Sequence, residues 1–230
     1  MNKTKVIISG LLIVIVILIA MNFKGDSLKP LPAPELAEGV RGAYGIDKNI
    51  DDQSIDNYLD REDTVYIDLR MLDDPASWEN KGGERELTGF IKGFKVIPYP
   101  FLAGFSQEYR DQKTDENVDG LYDGPSLFQL SSDGIYTANY KESMDILEFV
   151  FPKDKNIFLI CGAGGYARIA KEMLVELGWD KNKIYNLGGY WFYEGKNNIP
   201  VKNTKHGDIS YDFWKVMYYN IDFKTLHKVN

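Results

Sequence analysis

The chain has 230 residues, 44% hydrophobic and 13% aromatic, with 27 basic against 34 acidic side chains and a formal net charge of −7. That length suits one domain of ordinary size plus terminal segments. The acidic balance, with no Lys/Arg stripe to offset it, argues against nucleic acid as a partner.

Lys3 and Lys5 precede an apolar run from Val6 to Met21 in which Ser9 and Gly10 are the weak spots; with Asn22 and Phe23 it reaches 18 residues, the lower limit for spanning a bilayer as a helix. The lysines before it and the acidic chain after it predict a cytoplasmic N-terminus with the remainder on the extracytoplasmic side of the cell membrane. The end of the run, Ala20-Met21-Asn22-Phe23, offers one small residue to a signal peptidase, and no cysteine follows to take a lipid. Residues 1–24 therefore read as an uncleaved single-pass signal anchor.

Residues 25–46 read as a linker, stiffened by Lys29-Pro30-Leu31-Pro32-Ala33-Pro34, which holds the domain off the membrane. The first 30 residues carry Lys3, Lys5, Lys24 and Lys29 against Asp26, a net of +3, so the remaining 200 carry −10. That exported part holds one cysteine, so no internal disulfide is available and the fold rests on packing.

From Asp47 to Lys205 the apolar spacing alternates between strand-like and helical, predicting an α/β domain with a mainly parallel sheet flanked by helices. Thr64–Asp68 is a first strand and Phe94–Pro98 a second, stopped by proline. Residues 101–140 have little periodicity and are rich in Asp, Gly and Ser, the pattern of an irregular insertion that serves as a binding flap or as ordered padding. Met144, Leu147, Val150 and Phe151 recur at helical spacing, and a Pro152-Lys153-Asp154 turn leads into the apolar strand Asn156–Ile160. Ile169, Met173, Leu174 and Leu177 mark a helix ending at Gly178, a residue suited to a left-handed cap. Lys183–Leu187 follows as a short strand before Gly188-Gly189. Residues 206–230 form a C-terminal extension too aromatic to hang loose, with Tyr211, Phe213, Trp214, Val216, Tyr218, Tyr219 and Phe223 along residues 202–230.

The most informative stretch is where the strand Asn156–Ile160 meets Cys161-Gly162-Ala163-Gly164-Gly165-Tyr166 and then a helix. A strand, loop, helix and strand in this order form a right-handed crossover, which puts Cys161 at the carboxyl end of a central strand, where open α/β sheets place ligands. A loop of small residues lets several backbone N–H groups turn toward the sulfur, and the helix adds the positive end of its dipole. Both favour the nucleophilic thiolate. The competing reading is a lone buried cysteine that fills space.

The Cys161 loop and the helix to Leu177-Gly178 resemble, without a gap, the active-site region of the rhodanese family, in which a strand-end cysteine begins a six-residue loop. Asn186-Leu187-Gly188-Gly189 resembles that family's strand and glycine pair, and Tyr66-Ile67-Asp68-Leu69-Arg70 its Asp-x-Arg strand end. Gly89–Pro98 is similar to a further family signature, with Phe90 where histidine is usual. The four segments span about residues 47–201 in the correct order. The resemblance implies a rhodanese-like fold and a thiol sulfurtransferase: Cys161 takes the outer sulfur of a small sulfane-sulfur donor as a persulfide and passes it to an acceptor thiol, sulfite or cyanide.

Such chemistry needs an anionic sulfur stabilised twice, a task for the amides of Gly162, Ala163, Gly164, Gly165 and Tyr166. Related phosphatases use a loop one residue longer, closed by arginine. Here Tyr166 stands in the closing place, and the next arginine, Arg168, lies on the helix, facing the pocket or forming a surface salt bridge. A loop without a cation suits a persulfide or polysulfide better than the dianion thiosulfate. No cofactor or metal is implied, since His206 and His227 are isolated and no second cysteine helps them. Asp68 and Arg70 read as a structural ion pair, and Tyr190, Trp191, Phe192 and Tyr193 as core more than pocket rim. The alternative function is a non-catalytic rhodanese-like module of the cell envelope that binds a protein partner.

Overall fold

A computed structural model describes residues 28–70, 89–105, 124–201 and 215–229. The chain divides into two units, Met1–Pro32 and Ala33–Asn230. The anchor expected over residues 1–24, and His206, lie outside the described residues. Among those described, no helix is long and apolar enough to cross a membrane.

The second unit is mixed α/β, built on a four-stranded parallel sheet in the order β3-β1-β7-β8. These strands are β1 (Thr64–Asp68), β3 (Lys95–Val96), β7 (Asn156–Cys161) and β8 (Ile184–Gly189). β7 is central because it can be buried on both sides: from Ile157 to Cys161 every residue is buried, as a strand covered on both faces requires. Side chains alternate along it. Ile157, Leu159 and Cys161 join Ile67 and Leu69 on the face covered by helices α3 (Ser143–Val150) and α4 (Gly165–Glu176). Phe158 belongs to an aromatic row with Tyr66, Phe94 and Tyr185, with ring centroids 5.0–5.5 Å apart.

α4 brings Ala167 and Ala170, both buried with Met173 and Leu174, against the sheet. Small residues at those positions let the helix lie close to β7. Its far end is closed by Gly178 at φ +99°, the left-handed cap that glycine adopts without strain. β8 runs through Gly188 and Gly189 instead of stopping at Leu187. The pairing with β7 steps from Leu159–Asn186 to Cys161–Gly189, so β8 carries one extra residue beside the cysteine. This is a β-bulge, and Gly188 at φ +97° supplies the backbone it needs.

The region 101–140 is partly regular. After the short helix α2 (Tyr99–Leu102), β4 (Ala103–Phe105), β5 (Phe128–Leu130) and β6 (Tyr136–Ala138) make a small sheet, β4-β5 parallel and β5-β6 antiparallel. These strands are too short for their periodicity to be read from sequence, and residues 106–123 lie outside the description. β2 (Gly89–Ile91) pairs antiparallel with β9 (Asn198–Pro200). Phe90, at the position where the resemblance expects histidine, is fully buried with Val96, Val201 and Val216.

Both edges of the main sheet are covered by terminal segments. On the β3 side, Val96 N–H donates to Met217 O at 2.6 Å and Tyr219 N–H to Val96 O at 2.9 Å. Phe223 packs on Phe101 and Tyr140. On the β8 side, Asp47 and Asp52 N–H groups donate to Asn186 O and Leu187 O at 2.8 and 2.7 Å. Residues 33–46, assigned to the linker from sequence, are structured: helix α1 (Gly39–Ala43) lies between Ala37 and Ile46, whose backbones are joined at 2.9 Å.

Asp68 and Arg70 form a buried ion pair beyond β1. Arg70 Nε donates to both Asp68 oxygens at 3.0 Å and its Nη2 to Gly89 O at 2.8 Å, while the guanidinium lies 3.9 Å over the Tyr190 ring. Arg70→Met leaves Asp68 charged and buried, so a loss of about 3–5 kcal/mol is expected in chemical denaturation, with part of it recovered in the Asp68→Leu/Arg70→Met double variant.

Candidate active site

Cys161 ends β7 with 2% of its surface exposed. The chain then turns through Gly164, whose backbone is left-handed at φ +99° immediately before α4. That conformation favours glycine, and it aims the Gly164 N–H at the sulfur, 3.0 Å from Sγ. Burial raises the thiol pKa, and the amides of Ala167, Ala163 and Tyr166, with that of Gly164, offset part of the rise. Ala167, absent from the residues singled out in sequence, belongs to this cradle, since a helix's first amides have no partner of their own.

Burial outweighs these amides and pushes the Cys161 pKa above its ordinary value. The sequence expectation of an ionised thiol therefore meets only half of what it needs: the inward amides are present, but the sulfur is buried. Three contacts pack the loop and its surroundings. The Trp191 ring lies on Gly162 so closely that a Cβ there would meet the ring at 2.4 Å. Tyr166 stacks on Tyr99, centroids 5.5 Å apart and planes at 15°. Ile46 fills the space beside Gly164 and Gly188.

The loop is held from below by two buried polar side chains. Asn186 Nδ2 donates to Gly164 O at 3.1 Å and to Tyr44 O at 2.9 Å, while its Oδ1 accepts from Gly188 N–H at 3.0 Å. Asp52 accepts from Gly189 N–H at 3.1 Å and from Arg41 at 3.0 Å. Sequence reading missed both as positioning residues. The available signal was a polar Asn186 within the apolar strand Ile184–Leu187, where a buried amide must be bonded. Gly189 passes the loop so closely that a Cβ would stand 2.1 Å from Gly162 O.

The candidates named from sequence thus divide. Cys161 meets the amides of Ala163, Gly164 and Tyr166; Gly162 makes room for the Trp191 ring, and Gly165 is the first residue of α4. Arg168 goes elsewhere: its stem packs on Gly45, its Nη1 lies 3.4 Å from Glu172 Oε1, and its side chain is 47% exposed. It makes the surface salt bridge, one helical turn long, that the sequence left as an alternative. His227 pairs with Glu142 at 2.6 Å on the surface. Among the described residues no group of three or more His, Cys, Asp or Glu is placed to hold a metal ion.

Compared with protein-family models, with curated proteins and with solved structures, the chain finds no match.

The raised pKa has a measurable sign. Reaction of Cys161 with iodoacetamide should keep accelerating with pH beyond the range of an ordinary thiol. The folded state retains the thiol proton longer than the unfolded one, so stability is intact below the unfolded thiol's range and falls as pH rises through it. The melting temperature of the native chain should then drop more between neutral and alkaline pH than that of Cys161→Ala. Gly189→Ala, which drives a methyl into backbone, should lower both the melting temperature and the Cys161 alkylation rate.

Proposed function

We propose that this protein is a rhodanese-like thiol sulfurtransferase, carried on the cell membrane by its N-terminal apolar run with the domain on the extracytoplasmic side. The observation that carries the reading is the Cys161 sulfur at the end of the central parallel strand, accepting from the Gly164 N–H at 3.0 Å, with the amides of Ala163 in the loop and of Tyr166 and Ala167 in the first turn of α4 nearby. Amides so placed favour an anionic sulfur without a titrating partner, and they serve equally for a persulfide one atom longer.

In the first half-reaction the Cys161 sulfur attacks the outer sulfur of a donor R–S–SH. The donor's S–S bond breaks, a new S–S bond forms on Cys161, and the leaving thiolate R–S⁻ takes up the proton released by the Cys161 thiol. In the second, an acceptor thiolate attacks the outer sulfur, and Cys161 departs as thiolate into the same amides. No net oxidation occurs. The leaving group of a persulfide carries one charge, and with Arg168 engaged at Glu172 a singly charged donor suits the loop better than thiosulfate.

Exposure to a sulfane-sulfur donor should add one sulfur atom to the intact mass, and Cys161→Ala should abolish the addition. Steady-state assays should favour glutathione persulfide over thiosulfate; a strong preference for thiosulfate would count against the cation-poor loop. The burial of Cys161 favours a second reading, a non-catalytic module that binds a protein partner. In that case Cys161→Ser preserves the stable complex recovered by pull-down, and no sulfur is taken up.

A further inference from the structure

The aromatic turn that follows β8, read from sequence as core more than pocket rim, is not core. Across Tyr190, Trp191 and Phe192 no residue is buried, and Phe192 is 52% exposed. The backbone of the turn is fixed: Trp191 N–H donates to Gly162 O at 3.2 Å, Tyr193 N–H to Tyr190 O at 3.0 Å, and Gln53 Nε2 to Phe192 O at 2.5 Å. Tyr190 and Tyr193 serve the protein itself. Their rings stack with centroids 6.4 Å apart, and their hydroxyls bond Asn198 Oδ1 at 2.7 Å and Asp56 Oδ1 at 2.5 Å. Phe192 is then the most exposed ring of the turn, and Trp191 the one that touches the Cys161 loop.

An added Cβ on Gly162, the residue after Cys161, would meet the Trp191 ring at 2.4 Å. The indole thus fills the place that a larger loop residue would give to its own side chain, and the site takes an aromatic wall from the strand beside β7. The carboxyl ends of adjacent parallel strands are where open α/β sheets bind ligands. The charged side chains bonded to or stacked on this turn are engaged inside the protein. Arg70, over Tyr190, pairs with Asp68; Asp56 accepts from Tyr193 and the Lys196 N–H; Asp52 accepts from the Gly189 N–H and Arg41. Exposed rings against a nucleophile's loop, with their charged neighbours already paired, suit an uncharged, apolar group.

We infer that Trp191 and Phe192 bind the organic group of the sulfur donor, and that the donor is the persulfide of an apolar, aromatic thiol. The inference rests on the sulfurtransferase reading above and names the group R of the donor R–S–SH; the sulfur transfer itself is unchanged. An aromatic R gains buried area on these rings together with the edge-to-face or offset stacking that aromatic pairs prefer. The charged peptide of glutathione gives up water and finds no such partner there. Specificity is then set by the turn after β8, while the loop amides hold the sulfur whatever R carries it.

The test assays the full chain with benzyl persulfide and glutathione persulfide as donors. The kcat/KM for the benzyl donor should be about tenfold the higher. Phe192→Ala and Trp191→Ala should each bring that ratio toward one, while Phe149→Ala, which removes an exposed ring on α3, leaves it unchanged. Because Trp191 also packs on the loop, Trp191→Phe is the conservative variant and should keep most of the ratio. In calorimetry on Cys161→Ser, benzyl mercaptan should bind more tightly than glutathione by a similar factor, and Phe192→Ala should remove the difference. Sulfur uptake with equal kcat/KM for the two donors, or a loss in Phe192→Ala that falls equally on both, overturns the aromatic wall while the sulfurtransferase stands. No uptake from either donor overturns the sulfurtransferase and the inference with it.

Discussion

The structure turns on one contact, the Gly164 amide on the Cys161 sulfur. To make it, the backbone must go left-handed at Gly164, α4 must begin at Gly165, and β8 must carry an extra residue so that Gly189, and not a bulkier position, faces the loop. Asn186 ties these demands together. A single side chain bonds the loop carbonyl, the bulge amide and the N-terminal segment, so the cradle is preformed. Preorganisation of this kind is what lets main-chain dipoles stabilise charge without reorganising when it arrives.

Opposing that contact is the dryness of its surroundings. Cys161 is 2% exposed, and that burial disfavours the thiolate more than the amides favour it. The two effects are of one origin, because amides are stronger dipoles where water is absent. A site with this balance keeps the resting thiol neutral and reserves its stabilising power for a sulfur that is already anionic or becoming so.

Much of this was legible in the chain. The strand Thr64–Asp68, the helix ending at Gly178 and the cysteine at a strand end all follow from periodicity and glycine placement, because each is a long or strongly punctuated signal. The buried Asp68–Arg70 pair was legible from residue type and spacing. Other features were not. The bulge at Gly188 depends on pairing with a strand far away in sequence, and the strands of residues 103–138 are three residues each. Residues 33–46 carry a proline-rich start that hides the helix and backbone bonds following it. The raised pKa of Cys161 depends on how deeply the folded chain buries it, a tertiary fact that no local pattern encodes.

The two edges of the main sheet are closed by opposite ends of the second unit, β8 by Asp47 and Asp52 and β3 by Met217 and Tyr219. Each edge therefore takes its last backbone partners from a segment distant in sequence. Until Met217 and Tyr219 are in place, the β3 edge is open at Val96, and an open edge invites pairing with another chain. Loss of the segment around Met217 and Tyr219 would therefore uncover an adhesive strand edge and not merely remove a tail.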